Sequence, residues 1–173
     1  SMDLRQEMEA IFWQACQAHP QLPWFRSTKK GLLWGMMALF ALLLTLEGFL
    51  YWQAGHSALA MLRVPLGLVL PGIFALSVWR GHLKFSFLLL IPAGSLALGL
   101  LSEIRAALLL GFDTLPLPVL IYLAANAAAI LYLAGVLLWL LLPRNRELSI
   151  ALNQVTEEQI RRSKELTPPP RPR

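Results

Sequence analysis

The residues best able to do chemistry in this chain are charges set among apolar neighbours. Glu47 stands five residues before Trp52, which closes one long apolar run, and Arg63 stands five residues after Ala58, which opens the next. If the runs are consecutive antiparallel membrane helices, the carboxylate and the guanidinium fall at one depth, close to one bilayer face. Ionisable groups at that depth are costly and are usually paired or functional. Glu103 and Arg105 lie towards the end of a third run, Asn126 near the start of a fourth, and His56 and Asp113 between runs. In an antiparallel bundle all of them gather on one side. Neighbours in sequence pack side by side most often, which makes Glu47–Arg63 the leading pair. Three uses are open to it. It can be a salt bridge fixing the rotation of two helices, a site for a ligand, ion or proton, or a point where Arg63 snorkels about 8 Å to the headgroups. Glu103 and Arg105 are two residues apart, so they cannot share a helix face.

Other chemistries find no support in the sequence. His19, His56 and His82 are scattered over different segments, and Cys16 is the single cysteine, so no internal disulfide or Cys-x-x-Cys site can form. There is no Ser/His/Asp arrangement, no phosphate-binding glycine loop and no potassium-filter motif. The expectation is no catalytic residue, no metal, no cofactor and no enzymatic activity.

The elements that position these charges follow from hydropathy. Of 173 residues, 57% are hydrophobic and only 14% charged, and runs of about 20 apolar residues are the transmembrane signature. Four spans are predicted, over residues 31–52, 58–79, 85–103 and 118–142, giving an all-α membrane protein with a four-helix transmembrane bundle. The stretch Ala106–Phe112 either extends the third helix or lies at the interface. The first span is too long and too far from the N-terminus for a signal peptide. Ser1 before Met2 is set aside as a tag remnant.

All of the 15 Lys and Arg except Arg63 and Arg105 fall on the side of the two terminal segments and the 80–84 loop. By the positive-inside rule both termini are cytoplasmic, in a plasma membrane of bacterial inner-membrane type. The net charge of +5 is therefore assigned to orientation and not to nucleic-acid binding. Trp34, Trp79 and Trp139 fall at the inner interface, and Tyr51, Trp52 and Tyr122 at the outer one.

Short amphipathic helices are expected at both ends, within cytoplasmic segments 1–30 and 143–173. In the first, Leu4, Met8, Ile11, Phe12 and Ala15 recur at helical spacing before His19-Pro20. In the second, Leu148, Leu152 and Val155 form a stripe, Thr156 and Gln159 have capping-box spacing, and Glu157–Arg161 and Glu158–Arg162 are i,i+4 pairs. Pro168 to Pro170 end that helix. Pro65, Pro71 and Pro92 interrupt the second and third spans. Gly31/Gly35, Ala124/Ala128 and Ala125/Ala129 mark faces for close packing within the chain or between subunits.

Four spans with an embedded glutamate resemble the small multidrug transporters in layout. Those chains are shorter and have no partner arginine one span later, so no functional residue carries across. The leading functional expectation is a non-enzymatic accessory or scaffolding component in the lipid bilayer, as a homo-oligomer or within a larger membrane complex. The alternatives are a transporter or channel for a small solute, ion or lipid, using Glu47, Arg63, Glu103, Arg105 and Asn126, and an immunity protein against a pore-forming toxin.

Overall fold

The computed structural model describes residues 2–53, 55, 66–80 and 83–167, and all regular structure among them is helical. Helix α1 (Met2–Ala18) forms where the apolar spacing predicts it and stops before Pro20. A single turn follows, closed by His19 N–H to the Ala15 carbonyl and Leu22 N–H to the His19 carbonyl, both at 3.0 Å.

Helix α2 (Leu22–Gln53) starts well before the predicted span. Pro23 sits in its first turn, where the missing N–H has no partner to lose. The 32 residues run about 48 Å at the standard rise, against a hydrocarbon core of about 30 Å. Several turns of α2 therefore stand clear of the apolar layer.

The second predicted span is represented by α3 (Val69–Arg80), and residues 56–65 lie outside the described part. A 3-10 segment (Leu83–Leu89) leads into α4 (Leu90–Leu110). The α-helix of the second span is broken at Leu68, three residues before Pro71, and the third span passes from 3-10 to α-helix at Leu90, two residues before Pro92, so each proline stands at a local irregularity of its span; Pro65 lies outside the described residues. Helix α4 runs on through Glu103 and Arg105 to Leu110, which settles the open stretch as helix. Gly111 ends it with φ +89°, a value side chains rarely adopt, while its N–H still reaches the Ala107 carbonyl at 2.8 Å.

After a short 3-10 turn (Phe112–Thr114), Pro116 and Pro118 open α5 (Leu117–Leu141). Among the described residues three stretches are long and apolar enough to cross a membrane: Leu22–Gln53, Ser86–Leu110 and Leu117–Leu141.

The chain then turns at Leu142-Pro143 into α6 (Pro143–Leu166). The buried Asn145 donates its amide to the Trp139 carbonyl at 2.8 Å, and Arg146 reaches the Leu141 carbonyl at 3.1 Å. These side chains satisfy carbonyls that the end of α5 leaves without intrahelical donors. The capping-box expectation at Thr156 is corrected. Helix α6 is continuous through that point, so no orphan N–H is there to cap, and the Thr156 hydroxyl donates to the Leu152 carbonyl at 3.0 Å.

Helices α2 and α5 pack antiparallel. The Tyr132 hydroxyl crosses to the Leu32 carbonyl at 2.5 Å, over the space left by Gly35, where any Cβ would collide with that hydroxyl. Phe25 stacks on Trp139, centroids 5.2 Å apart and planes 11° off parallel. Trp139 is thus a packing residue more than a belt residue. Helices α1 and α6 are also antiparallel: Gln159 donates to the Met8 carbonyl at 2.9 Å and Arg162 meets Glu7 at 3.2 Å. The core they close contains Phe12, Leu22, Phe25, Val136, Leu140, Leu148, Leu152 and Val155. Most of the buried apolar core therefore lies at the end that carries both termini.

Candidate functional site

At the opposite end the helices enclose a cavity of about 350 Å³. Glu47 enters it from α2, Ser95 from α4, and Tyr122 with Asn126 from α5, while Leu44, Pro71 and Phe74 are among its apolar walls. Just before α3 the chain comes close to α2 along one side of the cavity. A Cβ on Gly67 would lie 2.9 Å from both Leu44 methyls, so only glycine fits unchanged.

The half-buried Glu47 stands in a wall that is otherwise mostly apolar. Asn126 is buried and donates its side-chain amide to the Tyr122 carbonyl one turn earlier, at 2.9 Å. Tyr122 lines the same cavity as Glu47 and Asn126. A carboxylate, an amide, a phenol and a hydroxyl in one apolar cavity can bind a cation or a hydrogen-bonding solute, or hold a proton.

The sequence-derived set is thus divided. Glu47 and Asn126 share the cavity, whereas Glu103 is exposed on α4 and does not line it. Arg105 is also exposed on α4 and does not line it. Arg63 and His56 lie outside the described residues. Tyr122 was assigned to an aromatic belt, although its four-residue spacing from Asn126 places both on one helix face. Ser95 gave no signal, because a lone serine in an apolar helix commonly bonds its own backbone.

Among the described residues no group of three or more His, Cys, Asp or Glu could hold a metal ion. Cys16 is half-buried in α1, and burial pushes its thiol up, with Arg26 acting in the opposite direction. It is a poor nucleophile at neutral pH.

Comparison of the chain with protein-family models, curated proteins and solved structures gave no match.

Proposed function

We propose that the protein is a non-enzymatic component of a membrane assembly, held by four spanning helices with both termini in the cytoplasm. The second of these helices contains α3. The observation that carries the assembly reading is the surface of α4. The Ser86–Leu110 stretch buries 11% of its most apolar window, against 28% for α2 and for α5. On this open helix Glu103 and Arg105 are both exposed, about 10 and 8 Å before its end at the standard rise, and neither forms an ion pair among the described residues. Lipid chains can satisfy neither of these exposed charges, whereas a protein packed along this apolar helix can.

Purification in a mild detergent, with the mass of the particle measured by light scattering, tests the reading. A complex or oligomer that Glu103→Gln with Arg105→Gln dissociates is expected. A monodisperse monomer without a co-purifying protein counts against it. Reporter fusions at the two ends test the orientation, and a reporter active only outside the cytoplasm at either terminus would reverse it.

The cavity favours a second reading, permeation of a small solute or ion past Glu47 and Asn126. Flux into liposomes, compared between the parent chain and Glu47→Gln, separates the two. Flux no greater than that of empty vesicles removes the second reading and leaves the first.

A further inference from the structure

A second concavity lies at the end that carries the termini, on the flank of the bundle between α2 and α3. Its volume is about 710 Å³, within the roughly 300–1,000 Å³ of small-molecule sites. One wall is a single stripe of α2: Arg26, Lys30, Leu33 and Met37 follow one another at three- or four-residue steps. The other is a stripe of α3 that includes Gly72, Ile73 and Leu76 and ends at Trp79. The helices run antiparallel past each other, with the Lys29 ammonium 5.9 Å over the Trp79 ring at one level and Gly72 opposite Met37 at another.

Polarity changes sharply along this groove. Arg26 and Lys30 stand one turn apart at its mouth, and no carboxylate is among its described lining residues. The Arg26 guanidinium lies 4.6 Å over the Phe12 ring of α1, a contact that favours its place at the mouth. The Lys29 ammonium is buried against Trp79 and does not line the groove, so Arg26 and Lys30 are the two cations it presents among the described residues. Trp34 and Trp79 are the amphipathic rings that settle at headgroup level. Below them every lining residue is apolar. From Lys30 to Met37 the apolar part of the α2 wall extends about 10 Å at the standard rise, within the half-thickness of an apolar core of about 30 Å.

We propose that this groove is a binding site for one anionic phospholipid of the adjoining leaflet. Its phosphate lies between Arg26 and Lys30, and one acyl chain lies along Leu33, Met37, Gly72 and Leu76. Gly72 leaves room for the chain. A Cβ there would meet only the Met37 methyl at 3.6 Å, so the space opposite is open to a larger group. The site is separate from the α4 surface and from the Glu47 cavity, and it requires no protein partner.

The test is native mass spectrometry of the full chain in neutral detergent with equimolar phosphatidylglycerol and phosphatidylcholine of identical acyl chains. The expected result is one retained phosphatidylglycerol, preferred about tenfold or more over phosphatidylcholine, given two basic side chains at a membrane surface. Arg26→Gln with Lys30→Gln is expected to bring the preference near one. Arg161→Gln with Lys164→Gln, which removes as much charge from α6, leaves it unchanged. Gly72→Leu is expected to lower retention of both lipids while Gly72→Ala does not. Leu76→Trp at an exposed wall position is a second filling variant should Gly72→Leu fail to fold. Retention unaffected by filling, a headgroup preference that survives loss of both cations, or a second copy of the chain retained in place of lipid would each overturn the proposal. No partner protein is present in this experiment, so its outcome is independent of the assembly reading.

Discussion

The two ends of α2 have opposite surroundings. At the end near the termini, Leu22 and Phe25 are fully buried, stacked on Trp139 and roofed by α1 and α6. At the other end Phe49 is 46% exposed and Trp52 61% exposed, and Glu47 faces the mostly apolar cavity it shares with Asn126. The residues are similar in kind, so intrinsic apolarity does not decide which of them are buried. What differs is whether further helices arrive to cover them. The terminal helices supply that cover on one side only, so one end is a packed anchor and the other keeps its polar groups and the flank of α4 open for interaction.

The largest effect should come from cutting into the anchor. Phe25→Ala is expected to destabilise by about 3–5 kcal/mol, the usual cost of emptying an aromatic core site, whereas Phe49→Ala on the same helix should stay within about 0.5 kcal/mol. Denaturant titration of both variants in one detergent checks this. Equal losses at the two ends would break the comparison.

Asn145→Ala tests the junction of α5 and α6. Removing the amide leaves the Trp139 carbonyl to the longer 3.3 Å bond from the Leu142 N–H, and the expected loss is that of one hydrogen bond, about 0.5–1.5 kcal/mol by the same titration.

Gly35→Ala is expected to cost about 1–3 kcal/mol, because the new methyl collides with the Tyr132 hydroxyl. Tyr132→Phe removes that hydroxyl, so the double variant should lose less than the two single variants summed. Additive losses would show that α2 and α5 do not approach here as described.

The smallest effect is electrostatic and lies at the exposed tip of α6. A hydrogen bond from Arg161, with Arg162 adding to it, holds the Glu158 carboxyl below its usual range. A carboxylate whose folded value is depressed contributes stability above its ordinary range and loses it as pH falls through the lowered value. The melting temperature should therefore show a slight carboxylate-dependent decline only in acid, and Glu158→Gln should remove that part. A Glu158 contribution that grows with acid would contradict the pairing.

Much of this contrast is legible in the sequence, but unevenly. The long apolar runs, the N-terminal amphipathic helix and the gathering of Glu47 and Asn126 follow from periodicity and depth alone. The start of α2 at Leu22 was missed because Arg26, Lys29 and Lys30 interrupt hydropathy without interrupting helix geometry. Helix α4 continues past Glu103 and Arg105 for the same reason. The cover over Phe25 was missed as well. Amphipathic periodicity in α1 and α6 identifies an apolar face but not whether that face meets a bilayer or another helix. Tyr122 could have been drawn into the site by its spacing from Asn126, whereas the groove between α2 and α3 depends on their relative approach, which no single segment encodes.

The central claim is that the end away from the termini is open along α4 to a protein partner. Photo-crosslinking in native membranes addresses it most directly, with a benzophenone side chain at Leu108 on the open face or at Leu148 in the anchor. The expected result is a discrete protein adduct from Leu108, weakened by Glu103→Gln with Arg105→Gln, and only intramolecular linkage from Leu148. Lipid adducts alone from Leu108, or a partner adduct from Leu148, would contradict it.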